Sequence, residues 1–205
     1  MTRVDGKLQQ SHNQHLILYW IHRFAWLTSA EVALLVWPQA QRSLDMANRT
    51  LNQLVERDEL SSRPLPKSDV AEVNARSQVA YALSVKGAKR LRNECDKTKA
   101  AANGAMLDNL EHHQHRILSN RFVIWAISRG YSAYTEREVG KGWIIDTDVD
   151  GKVADALIFK CEDDERNGFI HWVEVERSWK KQADYNKLLR FVCRFFGHFQ
   201  EVVLT

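Results

Sequence analysis

Ala154-Asp155-Ala156-Leu157-Ile158-Phe159 and Phe169-Ile170-His171-Trp172-Val173-Glu174-Val175-Glu176 are two short apolar runs split by a turn rich in Asp, Glu and Asn. β-Branched and aromatic content with a polar break between them predicts adjacent strands. Strand residues alternate faces, so Glu174 and Glu176 point one way and Val173 and Val175 the other. An acid inside an apolar strand is costly to bury alone. Asp155, Glu174 and Glu176 brought to one edge of a sheet make an oxygen cage for a hard divalent cation, Mg2+ or Mn2+. The bland alternative places Glu174 and Glu176 on an exposed edge strand, paired with Arg177 or Lys180.

Working outward, a helix is expected from about Leu107 to Ser128, with Leu110, Ile117, Leu118, Phe122, Trp125 and Ala126 on its apolar side and Gly130 ending it. Strands are expected over Tyr131 to Val139, Trp143 to Thr147 and Lys152 to Phe159. Glu136 and Glu138 then share a strand face, and Glu138 is a candidate further acid for the site. A helix from about Trp179 to Phe196 and a strand Gln200 to Thr205 complete the pattern. A strand at that point reads as a fold cut shortly after a parallel strand, or one completed by a partner. Of the histidines at 112, 113 and 115, His115 is the one placed to face a site; core or surface positions are the default for all three.

The amino-terminal part carries a different pattern. Residues 1–12 are polar, and apolar positions Leu16, Ile17, Trp20, Ile21, Phe24 and Leu27 recur at helical spacing from Asn13. Thr28 or Ser29 caps a second helix, which Pro38 stops near Trp37. A third helix over 40–57 buries Leu44, Ala47, Leu51, Leu54 and Val55. Its other side shows Arg42, Asn48, Arg49, Asn52, Gln53 and Arg57. Leu60 to Leu65 and Val79 to Ser84 read as a two-stranded hairpin. Three helices and a hairpin form the winged helix-turn-helix plan, whose third helix enters the DNA major groove. The same unit also serves in protein–protein contacts. A further helix begins at Val85, and the Lys-, Ala- and Asn-rich stretch 93–104 is the expected boundary. The expected domains are thus 1–95, binding DNA through Arg42, Arg49, Asn52, Gln53 and Arg57, and 105–205.

Composition sets limits on these readings. The 205 residues suit one large or two small domains. Residues 1–95 hold 13 Lys and Arg against 9 Asp and Glu, whereas 96–205 hold 16 against 17. The basic half points toward a polyanion partner. Cys95, Cys161 and Cys193 show no CxxC pairing, which speaks against a zinc ribbon or disulfide framework and for a reducing, cytoplasmic setting. The run Leu16 to Leu27 is broken by His22 and Arg23 and is too short to span a bilayer.

The order helix, three or more strands, helix, strand, with Asp155 on one strand and Glu174-Val175-Glu176 on the next, resembles the PD-(D/E)XK nuclease core. That resemblance implies an α/β (α+β) second domain in which Asp155 and Glu174 hold a divalent ion. A lysine is expected two residues after the first Glu, and Glu176 stands there instead. Either Glu176 is a further metal ligand, with the basic role moved to Lys180, Lys181 or Lys187, or the site is a relic. Over nearly the whole chain the layout resembles the plasmid replication-relaxation family and the MobC-type mobilisation relaxases. The resemblance is carried by Leu16 to Leu83, His115 to Asn120, Ala154-Asp155-Ala156, Val173 to Ser178 and Lys187-Leu188. It implies a metal-dependent endonuclease that nicks one strand of duplex plasmid DNA at a transfer origin, without a covalent tyrosyl intermediate. Lys187 takes the displaced lysine's part, and an accessory mobilisation protein or coupling protein is an implied partner. The competing function is a non-catalytic DNA-binding replication or transcription regulator.

Overall fold

The computed structural model describes residues 6–66, 78–95, 99–110, 112–143, 153–160, 169–175 and 201–204. The fold is mixed α/β and divides into two compact units, Met1–His113 and Gln114–Thr205.

In the first unit the order is α1 (Gly6–Phe24), β1 (Trp26–Thr28), α2 (Ser29–Val36), α3 (Ser43–Glu56), β2 (Leu60–Pro64), β3 (Val79–Leu83) and α4 (Val85–Glu94). The three strands form an antiparallel sheet in the order β1-β3-β2, with Leu27 opposite Tyr81 and Ser62 opposite Tyr81 on the other side. Ile17, Leu18, Ile21 and Phe24 of α1 are fully buried, as are Leu51 and Leu54 of α3 and Leu83 of β3. Burial of each such side chain stabilises the fold by roughly 1.5–3 kcal/mol.

Several expectations are corrected here. Helix α1 begins at Gly6, so the polar residues 7–12 extend it as an exposed first part. It ends at Phe24 and not at Leu27, because Ala25 turns into the left-handed region (φ 68°) and releases Trp26–Thr28 as a strand. A three-residue strand is too short for alternation to reveal. Leu44 is 47% exposed, on the outer side of α3. The stretch 93–104, expected as a boundary, in part packs on the first unit. The Asn103 side chain accepts from the backbone N–H of Leu83, and the 3-10 turn Gly104–Leu107 lies against β2 and β3. Helix α4 is capped by Ser84, whose hydroxyl accepts from Gly87 N at 3.1 Å. At Gly87 the helix comes so close to the Glu59 carbonyl that a Cβ would lie 2.0 Å from its oxygen. Only glycine fits there.

The second unit contains α5 (His113–Ser128), β4 (Ser132–Thr135), α6 (Glu136–Gly140), β5 (Ala156–Lys160), β6 (Phe169–Glu174) and β7 (Glu201–Leu204). Helix α5 starts later than expected, since Gly104–Leu107 is a separate turn. It stops at Gly130 (φ 84°), where Tyr131 N donates back to the Ala126 carbonyl. That is the left-handed glycine closure of a helix. The sheet runs β4-β5-β6-β7, antiparallel between β4, β5 and β6 and parallel between β6 and β7. Residues 175–200 separate the parallel pair, more than the dozen or so a crossover requires. Val139, Ala154, Leu157 and Trp172 form a buried cluster, with Tyr134 and Phe159 packed against it. The expected strand 131–139 is only half a strand: Thr135 caps α6, so Glu136 to Gly140 are helical. Residues 144–147 of the expected strand Trp143 to Thr147, and the expected helix Trp179 to Phe196, lie outside the described residues. No helix among the described residues is long and apolar enough to cross a membrane.

Candidate functional site

Asp155 sits at the entry to β5, where the ladder with β6 is irregular. Ala156 pairs in register with Val173, and the backbone N–H of Asp155 donates to the same Val173 carbonyl at 3.1 Å. This bond is one residue off the register of the ladder, which ends at the Ala156–Val173 pair, so the chain bends at Asp155 as it enters β5. The Asp155 carboxylate accepts the backbone N–H of Val175 at 2.7 Å through Oδ2. The backbone N–H of Asp155 on Val173 and its carboxylate on Val175 bracket Glu174. Two acids from separate strands are thereby brought to one end of the sheet.

Oδ1 of Asp155 lies 3.0 Å from Nε2 of His115 on α5. The Asp155 side chain is mostly buried and that of His115 about one-third exposed. The hydrogen bond to Asp155 raises the His115 pKa above its ordinary value. Burial works against this, and the charge of Asp155 adds to it. One turn on, Ser119 Oγ donates to the His115 backbone carbonyl at 3.1 Å, and Ser119 and Asn120 are buried. One position on, Arg116 donates to Glu136 at 3.0 Å. The Trp172 indole N–H donates to Glu174 Oε1 at 2.7 Å, so the acid is oriented by the same ring that fills the core beneath it.

The other expected residues take different places. Glu138 is no strand-face ligand. Its Oε2 accepts from the Thr135 backbone N–H at 2.9 Å and faces the Thr135 hydroxyl at 3.2 Å, and the residue is 5% exposed. These are the bonds of a capping box. Glu176, Lys180, Lys181 and Lys187 lie outside the described residues. His113 is buried, its Nδ1 2.7 Å from the Leu110 carbonyl. Among the described residues no group of three or more His, Cys, Asp or Glu is placed to hold a metal ion. Of the three expected oxygen ligands, Asp155 and Glu174 are among the described residues and Glu176 is not.

In the first unit, Arg42, Asn48, Arg49, Asn52 and Arg57 are exposed on or beside α3. Arg42 pairs with Asp45 at 3.1 Å, Gln53 accepts from Gln10 at 2.9 Å, and Arg57 donates to Gln14 at 3.3 Å. Arg49 and Asn52 thus form the outward part of the expected DNA-binding set.

Two features escaped the sequence reading. The Arg116–Glu136 pair joins α5 to a residue expected on a strand and found at the start of α6. The apolar face of α5 was also misplaced, since Val123, Ile124 and Ala126 are buried whereas Leu118 and Trp125 are exposed. Apolar residues occur on every side of this helix, so periodicity cannot select the buried face. No family model, curated protein or solved structure matches the chain.

Proposed function

We propose that the chain is a plasmid mobilisation relaxase of the metal-dependent kind: a winged helix unit that docks on duplex DNA, joined to a PD-(D/E)XK-like unit that nicks one strand at a transfer origin. The observation that carries this reading is the Asp155 carboxylate bound to the Val175 N–H, with the Asp155 backbone N–H on the Val173 carbonyl, so that its two bonds fall on either side of Glu174. The order α5-β4-α6-β5-β6-β7, with β7 parallel to β6, supports the nuclease-like assignment. The order α1-β1-α2-α3-β2-β3 with the sheet order β1-β3-β2 supports the winged helix.

Carboxylate oxygens on Asp155 and Glu174 suit Mg2+ or Mn2+, and Glu176 is the third ligand by sequence. Once bound, such an ion polarises a phosphoryl oxygen and lowers the pKa of an attacking water. The protein's own part is orientation. The Val175 N–H and His115 fix the Asp155 carboxylate, while Trp172 fixes Glu174. Lys187, by resemblance, places a positive charge near the developing phosphoryl charge. In the first unit, Arg49 and Asn52 meet the major groove, and the remaining α3 residues hold register through phosphates.

The test is relaxation of a supercoiled origin plasmid with and without magnesium. The expected outcome is a single-strand nick that requires the ion and is absent in Asp155→Ala, Glu174→Ala. Nicking by that double variant removes the site assignment. The second reading, a non-catalytic DNA-binding regulator, draws on one observation: both Asp155 oxygens already have donors, as a purely structural acid would. Salt-dependent, sequence-specific binding that Arg49→Ala weakens, with no cutting in any divalent ion, selects it.

A further inference from the structure

One side of α5 and the short segment after it carry a group of aromatic rings, exposed at Trp125 and half-buried at Phe122 and Tyr131. Leu118, Phe122, Trp125 and Arg129 recur at spacings of four, three and four, which puts them along one side of a helix. Leu118 is 42% exposed and Trp125 47%. The Phe122 and Trp125 ring centroids are 5.6 Å apart, and those of Trp125 and Tyr131 6.4 Å. The Arg129 guanidinium carbon lies 5.8 Å from the Trp125 centroid. No acid occurs between Glu111 and Glu136, a stretch that includes Arg116, Arg121 and Arg129.

An exposed indole flanked by half-buried rings and arginines, with no carboxylate among them, matches one ligand chemistry. A base presents a π-face to stack on an indole, a phenyl ring or a guanidinium plane, and its phosphate meets the arginine charge. We propose that Phe122, Trp125, Tyr131 and Arg129 form a stacking platform for single-stranded nucleic acid, with Arg121 engaging its phosphates. A second copy of the chain is the poorer occupant. A two-fold contact through this face would set Arg121 and Arg129 of each copy against the same patch of the other. Trp125 lies ten residues along α5 from His115, about 15 Å at the helical rise. The inference does not rest on the cutting reading, because binding is measured without metal.

The full chain in EDTA is titrated against labelled oligothymidylate, oligouridylate, an abasic strand of equal length and a duplex. The wild type is expected to hold the abasic strand at least about tenfold more weakly than the oligonucleotides. Trp125→Ala should weaken oligonucleotide binding about five- to hundredfold and leave duplex binding unchanged. Trp125→Phe should keep most of the affinity. The oligonucleotide held more tightly by the wild type identifies the strand as DNA or RNA. Should Trp125→Ala lose its circular dichroism, Arg129→Glu serves in its place and is expected to weaken the same ligands. Equal binding of abasic and base-bearing strands overturns the platform, as does wild-type oligonucleotide affinity in a folded Trp125→Ala. Loss of a concentration-dependent dimer in Trp125→Ala with oligonucleotide binding unchanged assigns the face to a second copy instead.

Discussion

Thr28-Ser29-Ala30-Glu31-Val32 in the first unit and Thr135-Glu136-Arg137-Glu138-Val139 in the second carry the same device. Each ends a strand and opens a helix. In each, the Glu backbone N–H donates to the Thr hydroxyl, at 3.4 and 3.3 Å, and the Glu carboxylate accepts the Thr backbone N–H, at 2.7 and 2.9 Å. The helices they open differ in length. Helix α2 runs eight residues before Pro38, whereas α6 closes after five. The two caps differ also in their neighbours. Val139 packs with Leu157 and Trp172, so the second cap anchors the core directly beneath Asp155 and Glu174. A buried acid is therefore not a candidate ligand by burial alone. Glu31 and Glu138 are held by their own backbone, and Asp155 differs by reaching across to another strand and another helix.

The strongest test of that difference is Asp155→Asn. The amide oxygen can still accept from Val175 N–H, so the melting temperature should change little. Nicking in magnesium should fall at least about a hundredfold, the upper range for disturbing the shell around a metal. Full nicking by Asp155→Asn would place Asp155 with Glu31 and Glu138 as a structural acid.

Glu138 gives the next largest effect and tests the other side of the comparison. Glu138→Ala removes the acceptor for a buried Thr135 N–H and should destabilise by about 1–3 kcal/mol, read as a lower denaturation midpoint. Glu138→Gln keeps an acceptor of similar reach and should retain both most of the stability and nicking. Lost nicking at unchanged stability in Glu138→Gln would restore it to the site. Smaller again are Thr28→Ala and Thr135→Ala, each expected to cost about 1 kcal/mol and each rescued by Ser. An unequal pair of losses would show that the surroundings, not the box, set the cap's contribution.

The same pair of caps explains how far the sequence was legible. Thr28 and Glu31 are followed by an unbroken apolar helix up to Pro38, so the cap is visible as a start signal. Thr135 and Glu138 sit between alternating residues and glycines at 140 and 142, where a five-residue helix leaves no period to detect. The strands around Asp155 and Glu174 were legible because their apolar runs are bounded by charged turns. Their juxtaposition was only an expectation, since the register that pairs Ala156 with Val173 is not written in either run alone. His115 could be singled out by its position near the apolar side of its helix, but not its partner, forty residues away in sequence. The exposed stripe on α5 was hidden because a helix apolar on all sides reveals which face is buried only once its neighbours are placed.

The weakest of the expected effects separates the two units by pH. Burial alone would raise the Glu94 pKa, but hydrogen bonds from Arg90 at 2.8 Å and His15 at 2.6 Å hold it below its ordinary value of 4.5. A depressed carboxylate contributes stability that is present above its unfolded pKa and is lost as pH falls through the folded one. For the first unit the loss therefore comes on the acid side, below about pH 4.5. His115 has the opposite sign. Asp155 raises its pKa above 6.5 against the effect of burial, so its contribution is complete below the unfolded value and is lost as pH rises through the folded one. Both side chains are partly exposed, which keeps the two slopes shallow. Thermal melts in EDTA from acid to mildly alkaline pH should show Glu94→Gln flattening only the acid limb and His115→Gln only the alkaline one. A wild-type alkaline slope in His115→Gln would mean that the His115–Asp155 contact orients the carboxylate without carrying charge, and that Asp155 depends on Val175 for its hold on the sheet.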